Sequence, residues 1–136
     1  MADNKFKLEI ISPDRVFYTG EASMLELNTS EGQMGIYANH IPLTAVLVPG
    51  ICTIHEDGGE KYAALHAGFI EILKDKITVL AEIAEWPDEI DKNRAEEARI
   101  RAERRLSGAG EENVNMLRAE MALKRALTRI GLAEHK

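Results

Sequence analysis

The chain has 136 residues and a formal net charge of −6, which suits one compact domain or a small domain with an appendage. The acidic balance argues against non-specific binding to nucleic acid. No run of about 18 apolar residues is present, so we expect no direct insertion into a membrane. The single cysteine, Cys52, excludes an intrachain disulfide. We expect it to be a small strand residue, with a reactive thiol as the alternative.

The first 86 residues carry the pattern of β-strands. Phe6, Leu8 and Ile10 alternate with charged residues, which is the period-two pattern of a half-buried strand. Turn residues such as Asp57-Gly58-Gly59 separate the later runs. Those apolar runs lie at 24–27, 41–48, 51–54, 62–65, 69–73 and 77–81. Several strands at a spacing of roughly 8–12 residues are typical of an antiparallel sandwich or barrel.

A second region follows Trp86-Pro87, where the composition changes to the helix formers Ala, Glu, Arg, Leu and Lys. Residues 87–136 are nearly neutral and rich in arginine, whereas residues 1–86 are strongly acidic, so we predict two domains with different roles. The glycines in Ser107-Gly108-Ala109-Gly110 end one helix. We therefore predict helices at about 89–106 and 111–132 that form an antiparallel hairpin, and the fold class is α+β.

The predicted helices are too rich in alanine to bury much area against each other alone. The first has a thin apolar stripe, and the second is apolar on more than one side. The residues concerned are Ile90, Ala98, Ala102 and Leu106 in the first, and Val114, Met116, Leu117, Met121, Leu123, Leu127 and Ile130 in the second. The hairpin should therefore need a surface to pack on. The second helix either docks more than one partner or simply covers the sandwich.

Residues 31–50 place a lone histidine, His40, between turn-forming residues. A hydrolase would pair this histidine with a nucleophile and an orienting acid. The sequence contains neither a G-x-S-x-G motif nor an H-E-x-x-H motif. We therefore favour a backbone role for the stretch, in which Gly32, Gly35 and Asn39 permit positive φ in tight turns.

Four arginines of the second region could form an anion site. Arg94 and Arg101 are seven residues apart, and Arg125 and Arg129 are four apart, so each pair shares one helix face. If the hairpin folds back, the two pairs can converge on a polyphosphate or a carboxylate. The alternative is a solvated face of Glu–Arg pairs such as Glu97–Arg101. Spacing alone favours this alternative.

The stretch Glu31-Gly32-Gln33-Met34-Gly35-Ile36, followed by His40-Ile41-Pro42-Leu43 and Pro49-Gly50, closely resembles the epsilon subunits of F-type ATP synthases. Ser12-Pro13-Asp14-Arg15, Tyr18-x-Gly20, Gly68-Phe69 with Glu71, and the arginine-rich hairpin also match, so the resemblance covers essentially the whole chain. One departure is Ala38-Asn39, where the family usually has Pro-Gly. Asparagine tolerates the left-handed conformation, so the turn can survive. The resemblance implies a ten-stranded β-sandwich, residues 1–86, followed by a helical hairpin, residues 87–136.

The resemblance also implies a non-catalytic subunit of the rotor's central stalk. Such a subunit binds the gamma subunit and rests on the c-ring, with Gln33 and His40 near the c-ring loops. It couples rotation, and it inhibits ATP hydrolysis when the hairpin opens and rises along gamma into the alpha/beta catalytic head. The arginines expected to face the acidic loop of the beta subunit there include Arg99, Arg104, Arg105 and Arg118. The implied location is peripheral, at the cytoplasmic face of a bacterial membrane.

Some bacterial members of the family bind ATP in the folded hairpin through an Ile-Asp-x-x-Arg-Ala motif, and this chain carries that motif at residues 90–95. By the resemblance, Glu85, Ile90, Asp91 and Ala95 would frame the adenosine. Arg94, Arg101, Arg125 and Arg129 would hold the phosphates. Because the whole set is present, the resemblance favours a nucleotide site over a solvated face. ATP is thus expected as a regulatory ligand, and accompaniment by Mg²⁺ stays open.

Two alternatives stay open beside the ATP-responsive subunit. One is a purely structural coupling and inhibitory subunit, whose arginines contact only protein partners. The other is a small hydrolase that uses His40. In isolation the subunit could be a monomer, or it could form a weak dimer through the exposed apolar face of its helices.

Overall fold

The computed structural model describes residues 4–108 and 115–135. In chain order, these residues form eight strands, a short 3₁₀ helix and two α-helices. The strands are β1 (Phe6–Ser12), β2 (Arg15–Ala22), β3 (Met24–Thr29), β4 (Gly32–Tyr37), β5 (Leu43–Leu47), β6 (Gly50–Glu56), β7 (Gly59–Ile72) and β8 (Lys76–Glu85). The 3₁₀ helix is Pro87–Glu89, and the α-helices are α1 (Lys92–Leu106) and α2 (Met116–Ala133). The predicted α+β class, a β-sandwich followed by a helical hairpin, is confirmed.

The strands pair in the order β2-β1-β8-β7-β5-β3-β4, and β6 pairs with both β3 and β7. Most pairs are antiparallel, as predicted, but β1 and β8 run parallel. The predicted antiparallel arrangement is therefore wrong at this one pair. Parallel strands need a long connection, and six other strands form the connection between β1 and β8.

The described residues form eight strands when ten were expected, and the long strand β7 accounts for one of the two missing strands. Its first half pairs with β6 and its second half pairs with β5. The partner changes at Ala67 and Gly68, which have φ values of 57° and 123°. Residues 62–65 and 69–73, predicted as separate strands, thus belong to one strand that bends between two layers.

The turn residues of the 31–50 stretch behave differently from one another. Gly32 and Asn39 have positive φ, at 116° and 66°, as predicted. Gly35 was also expected to have positive φ, and this is wrong because it lies inside β4. A Cβ at Gly35 would lie 2.7 Å from the terminal methyl of Met24. Because this methyl is the end of a flexible side chain, it could move away, and the contact alone does not require a glycine.

The core of the sandwich comes from the inward positions of the alternating strands. In β1, Phe6, Leu8 and Ile10 are at most 3% exposed, in agreement with the predicted period of two. Cys52 is also fully buried in β6. Burial, with a small contribution from the charge of Glu26, raises the pKa of the Cys52 thiol to about 12. The expectation of a small strand residue is confirmed over that of a reactive thiol.

We expect the folded protein to resist labelling of Cys52 by a maleimide at pH 8. The thiolate is the reacting species, and burial both suppresses it and blocks access. Mass spectrometry should find one label per chain after denaturation in urea and almost none before. Rapid labelling of the folded protein would contradict the buried position.

Each α-helix begins at a side-chain cap. Asp91 accepts a hydrogen bond from the Arg94 backbone N–H at 3.2 Å, and Asn115 does the same for Arg118 at 3.0 Å. Such caps satisfy amide groups that have no partner within the helix. The first helix therefore begins at Lys92 rather than near residue 89, because Pro87–Glu89 forms a 3₁₀ turn. The second begins at Met116, and residues 111–114 of the predicted helix lie outside the described residues.

The end of α2 packs the hairpin onto the sandwich. Leu132 and Ala133 form a buried apolar cluster with Ala64 of β7 and Ile90. The ring of His135 stacks on Tyr62 with 4.1 Å between ring centroids. Other side chains of α2 face solvent, since Leu117 is 70% and Leu127 is 49% exposed. One side of α2 thus covers the sandwich, and apolar side chains on the rest of the helix remain exposed to solvent.

Candidate functional site

A cleft of about 280 Å³ lies where the sandwich, the 3₁₀ helix and both α-helices meet. Its lining combines three carboxylates, three arginines and three apolar residues. They are Glu85, Glu89, Ile90, Asp91, Arg94, Ala95, Ala98, Arg101 and Arg129. Because α1 and α2 both supply arginines, a ligand in this cleft would bridge the hairpin.

Glu85, at the end of β8, joins the sandwich to the hairpin. Its Oε1 accepts hydrogen bonds from Nε2 of His66 at 3.1 Å and from Nε of Arg129 at 2.8 Å. Burial opposes ionisation of the carboxyl, but the bonds from His66 and Arg129 outweigh it and hold the pKa of Glu85 below its ordinary value. We call Glu85, His66 and Arg129 the Glu85 cluster.

A second ion pair fixes the other wall of the cleft. The Glu89 carboxylate accepts a hydrogen bond from Arg15 at 2.8 Å and one from the Trp86 backbone N–H at 2.8 Å. The Arg15 guanidinium next to Glu89 holds the pKa of that carboxyl below its ordinary value. Arg15 also donates to the backbone oxygen of Ala84 at 3.3 Å. Strand β2 thereby anchors the 3₁₀ helix that leads into the hairpin.

Two arginines of the cleft carry charge that the protein does not neutralise directly. Arg94 and Arg101 are exposed, and neither forms an ion pair with any residue of 4–108 or 115–135. Arg99, in contrast, pairs with Glu96 at 2.9 Å and with Glu103 at 2.7 Å. The Glu97–Arg101 pair expected for a solvated face is not formed. The unneutralised guanidinium groups are instead available to an anion.

The structure brings together seven of the eight residues that the resemblance assigned to ATP. Glu85, Ile90, Asp91, Arg94, Ala95, Arg101 and Arg129 all line the cleft. Arg125 is half-buried one helical turn before Arg129 and is not part of the lining. Sequence reasoning missed Glu89 and Ala98 in the lining and His66 behind Glu85. The sequence gives no signal for His66, since it lies 19 residues before Glu85.

The residues assigned to protein contacts lie apart from the cleft. Gln33 is exposed in β4, and Nδ1 of the half-buried His40 bonds to the backbone oxygen of Ile41 at 2.7 Å. Among the described residues, His40 has no carboxylate partner of the kind a hydrolase needs, and no group of His, Cys, Asp or Glu side chains could hold a metal. Arg104, Arg105 and Arg118 are exposed on the helices, and Arg99 is half-buried.

A row of apolar side chains crosses one outer face of the sheet, which sequence reasoning did not find. The register places Val46, Phe69 and Leu80 side by side on β5, β7 and β8. Ile11 of β1 and Val16 of β2 continue this row. Val46 is 56%, Phe69 is 45% and Val16 is 60% exposed. We call these five residues the apolar row. Exposed apolar surfaces of this kind are candidates for contact with another protein.

The fold and the cleft define a protein in which a β-sandwich carries a docked helical hairpin, with a cleft between them that is lined by both arginines and carboxylates. Comparison with known families gives the same division. Residues 5–87 match the ATP synthase delta/epsilon chain β-sandwich domain, and residues 88–134 match the long α-helix domain of the same chains. The chain therefore belongs to the ATP synthase delta/epsilon family. Within ATP synthase, it is a non-catalytic subunit of the central stalk.

Relatives of similar length support this assignment. The ATP synthase epsilon chain of Clostridium novyi (strain NT) is 45% identical over 128 residues, which cover 93% of this chain and 96% of that one. The epsilon chain of Shouchella clausii (strain KSM-K16) is 42% identical over 130 residues, 96% of each chain. A chain in the Euglena gracilis mitochondrial ATP synthase structure has the same fold, with a TM-score of 0.81 and 23% identity over 96% of this chain and 82% of that chain. No helix among the described residues is long and apolar enough to cross a membrane.

Proposed function

We propose that ATP binds in the cleft and stabilises the folded hairpin of this central-stalk subunit. The observation that carries the proposal is the convergence of Arg94 and Arg101 of α1 with Arg129 of α2 on one cleft. A ligand held from both helices binds the folded hairpin better than an opened one. Such a difference in affinity is what a ligand needs to shift a conformational equilibrium.

The cleft offers separate surroundings for the two ends of ATP. Arginine donates charge-assisted hydrogen bonds to phosphate oxygens, and within residues 4–108 and 115–135 no carboxylate forms an ion pair with Arg94 or Arg101. The nucleoside would pack against the buried side chains of Ile90 and Ala95, at most 5% exposed. The carboxylates of Glu85 and Asp91 would accept hydrogen bonds from ribose hydroxyls or from the adenine amine. Arg125 would join when the ligand is bound.

The affinity should be modest because binding must also desolvate the arginines and order the hairpin. A net binding free energy of about −4 to −8 kcal/mol corresponds to millimolar to micromolar dissociation constants. In that range cellular ATP would titrate the hairpin. When ATP is scarce, the hairpin would open toward the catalytic head and inhibit hydrolysis. Arg99, Arg104, Arg105 and Arg118 would then contact the acidic loop of the beta subunit.

We expect ATP to raise the melting temperature of the isolated protein in a saturable way. At free ATP of about 100 times the dissociation constant, binding adds about 2.7 kcal/mol to the free energy of unfolding. GTP should give a smaller rise. Arg94→Ala should abolish most of the ATP effect, whereas Arg118→Ala, an exposed arginine outside the cleft, should preserve it. The series is run with and without Mg²⁺, which shows whether the metal accompanies the nucleotide.

A flat response up to about 10 mM ATP, beyond the weak end of the affinity range, would contradict the nucleotide site. The protein would then be a purely structural coupling and inhibitory subunit, and its arginines would serve protein partners alone.

We further propose that the apolar row docks on the gamma subunit, while Gln33 and His40 meet the c-ring. The row is an exposed apolar surface, and the 31–50 stretch contributes exposed residues such as Gln33 and Ile41 to the same sandwich. These contacts would hold the subunit at the cytoplasmic face of the membrane through its partners.

Phe69→Glu should weaken binding to purified gamma at least about tenfold, because it buries a charge at the centre of the docking face. Biolayer interferometry gives the dissociation constant. Lys74→Glu, an exposed turn residue outside the row, should leave it unchanged. Equal affinities for the two variants would rule out this face.

A further inference from the structure

His66 is a buried polar side chain that no assigned role explains. It is 1% exposed, although histidine usually keeps access to water. Alternation along β7 places it on the same face as Ala64, two residues earlier. Ala64 packs against Leu132 and Ala133 of α2. His66 therefore lies beneath the docked hairpin, on the sandwich side of the cleft.

The ring of His66 has one defined task among the described residues. Nε2 bonds to Oε1 of Glu85 at 3.1 Å, and Nδ1 is buried with no hydrogen-bond partner. An ionised carboxylate only accepts hydrogen bonds, so Nε2 carries the proton and donates it. A bare lone pair on Nδ1 is less costly to bury than an N–H group without an acceptor. The surroundings thus select the tautomer that donates to Glu85.

The bond from His66 determines how Glu85 meets the rest of the site. Oε1 takes the bonds from His66 and from Arg129 of α2, and both donors lie within 3.1 Å of this oxygen. Within the described part of the chain, Oε2 accepts no hydrogen bond, so it is available to a ligand in the cleft. Loss of the His66 bond would let the Glu85 carboxylate rotate. The rotation would displace Arg129 and would also move Oε2, the atom that accepts a hydrogen bond from the ligand.

We propose that His66 is a positioning residue of the nucleotide site, which acts through Glu85 to hold the carboxylate toward the ligand and Arg129 toward the phosphates. The proposal rests on the proposed ATP site. It adds β7, which supplies no residue to the lining itself, to the elements that shape the cleft. His66 and Glu85 lie on the paired strands β7 and β8, so their bond forms within the sandwich, and the docked hairpin adds Arg129 to the same oxygen.

Three substitutions separate positioning from simple packing. Glutamine places its amide nitrogen as many bonds from Cα as Nε2, and asparagine places it as many bonds from Cα as Nδ1. His66→Gln should therefore keep the donor to Glu85, and His66→Asn should lose it. His66→Leu removes both nitrogens at similar bulk. In calorimetric titrations with ATP, we expect the Leu and Asn variants to bind about tenfold more weakly, and the Gln variant to bind within about threefold of wild type.

The role of Glu85 is tested in a double-mutant cycle. His66→Leu should have no further effect on the ATP dissociation constant when Glu85 is already alanine. Melting temperatures measured without ATP show how much each substitution destabilises the fold, independently of its effect on ATP binding. If the Leu variant does not fold, the comparison of Gln with Asn decides the question.

The possible failures are distinct. If wild-type protein binds ATP but the Leu and Asn variants bind equally well, or if the effects of His66 and Glu85 simply add, the positioning role is wrong and the nucleotide site stands. If wild-type protein shows no saturable ATP binding, the nucleotide site is wrong and this role of His66 falls with it.

Discussion

Replacement of Gly68 by alanine is expected to lower the free energy of unfolding of the sandwich by at least about 3 kcal/mol. Gly68 has a φ of 123°, which side-chain-bearing residues rarely adopt. A Cβ there would lie 1.9 Å from the backbone oxygen of Leu80. That oxygen belongs to β8 and cannot move without breaking the β7–β8 pair. Urea denaturation followed by circular dichroism measures the loss.

Two other glycines provide matched controls. Gly59 also has a positive φ, 142°, but a Cβ there would meet no atom within 4 Å. Gly59→Ala therefore measures the backbone strain alone, about 1–2 kcal/mol. Gly58→Ala, which has open space and no positive φ, should be nearly neutral. If Gly68→Ala cost no more than Gly59→Ala, the close approach of β8 would not be the reason for a glycine at this bend.

Gly68 also shows what the sequence could predict of the fold. The two-fold alternation in β1 and the change of composition at residue 87 were sufficient to predict a sandwich and a hairpin. The resemblance to the epsilon subunits singled out Gly68-Phe69 as a matching segment. The bend that joins two predicted strands into β7 was not predictable, because it depends on a backbone oxygen contributed by another strand. The parallel pairing of β1 with β8 could not be predicted from the sequence either, since it links residues far apart in the chain.

Replacement of Glu85 by alanine is expected to cost about 3 kcal/mol of stability at pH 7 and to destabilise the docked hairpin selectively. The substitution leaves His66 buried without its acceptor and leaves the half-buried Arg129 unpaired. Hydrogen exchange of the α2 amides reports hairpin docking directly. Glu82→Ala, on the same strand but exposed, is the control. Unchanged exchange in the Glu85 variant would contradict the link between sandwich and hairpin.

The contribution of Glu85 should also depend on pH in a defined direction. Its pKa is lowered in the folded protein relative to the ordinary value of 4.5. The unfolded chain therefore binds the proton first, and the stabilisation is fully present above about pH 5. It is lost as the pH falls through the folded-state pKa. The difference in unfolding free energy between wild type and Glu85→Ala should narrow over that acidic range.

The part of the candidate site that could be predicted from the sequence is the part formed by neighbouring residues. Residues close together in sequence, such as Asp91, Arg94 and Ala95, carry a motif that can be recognised locally. The Glu85 cluster combines residues of β7, β8 and α2: strand pairing brings His66 to Glu85, and the docked hairpin adds Arg129. Spacing alone even favoured a solvated arginine face. In the structure, Arg99 pairs with Glu96 and Glu103, and Arg101 lines the cleft instead.

The parallel pair of β1 and β8 has a consequence for synthesis on the ribosome. Lys7 lies opposite Lys76, so β1 can pair early with β2 but cannot complete its pairing until β8, the last strand of the sandwich, has been made. Contacts between residues so distant in sequence make folding slow. Domains complete as units during translation, and the hairpin follows β8 directly. All the strands on which the hairpin docks are therefore synthesised before either helix, and docking of the hairpin depends on how fast the sandwich closes.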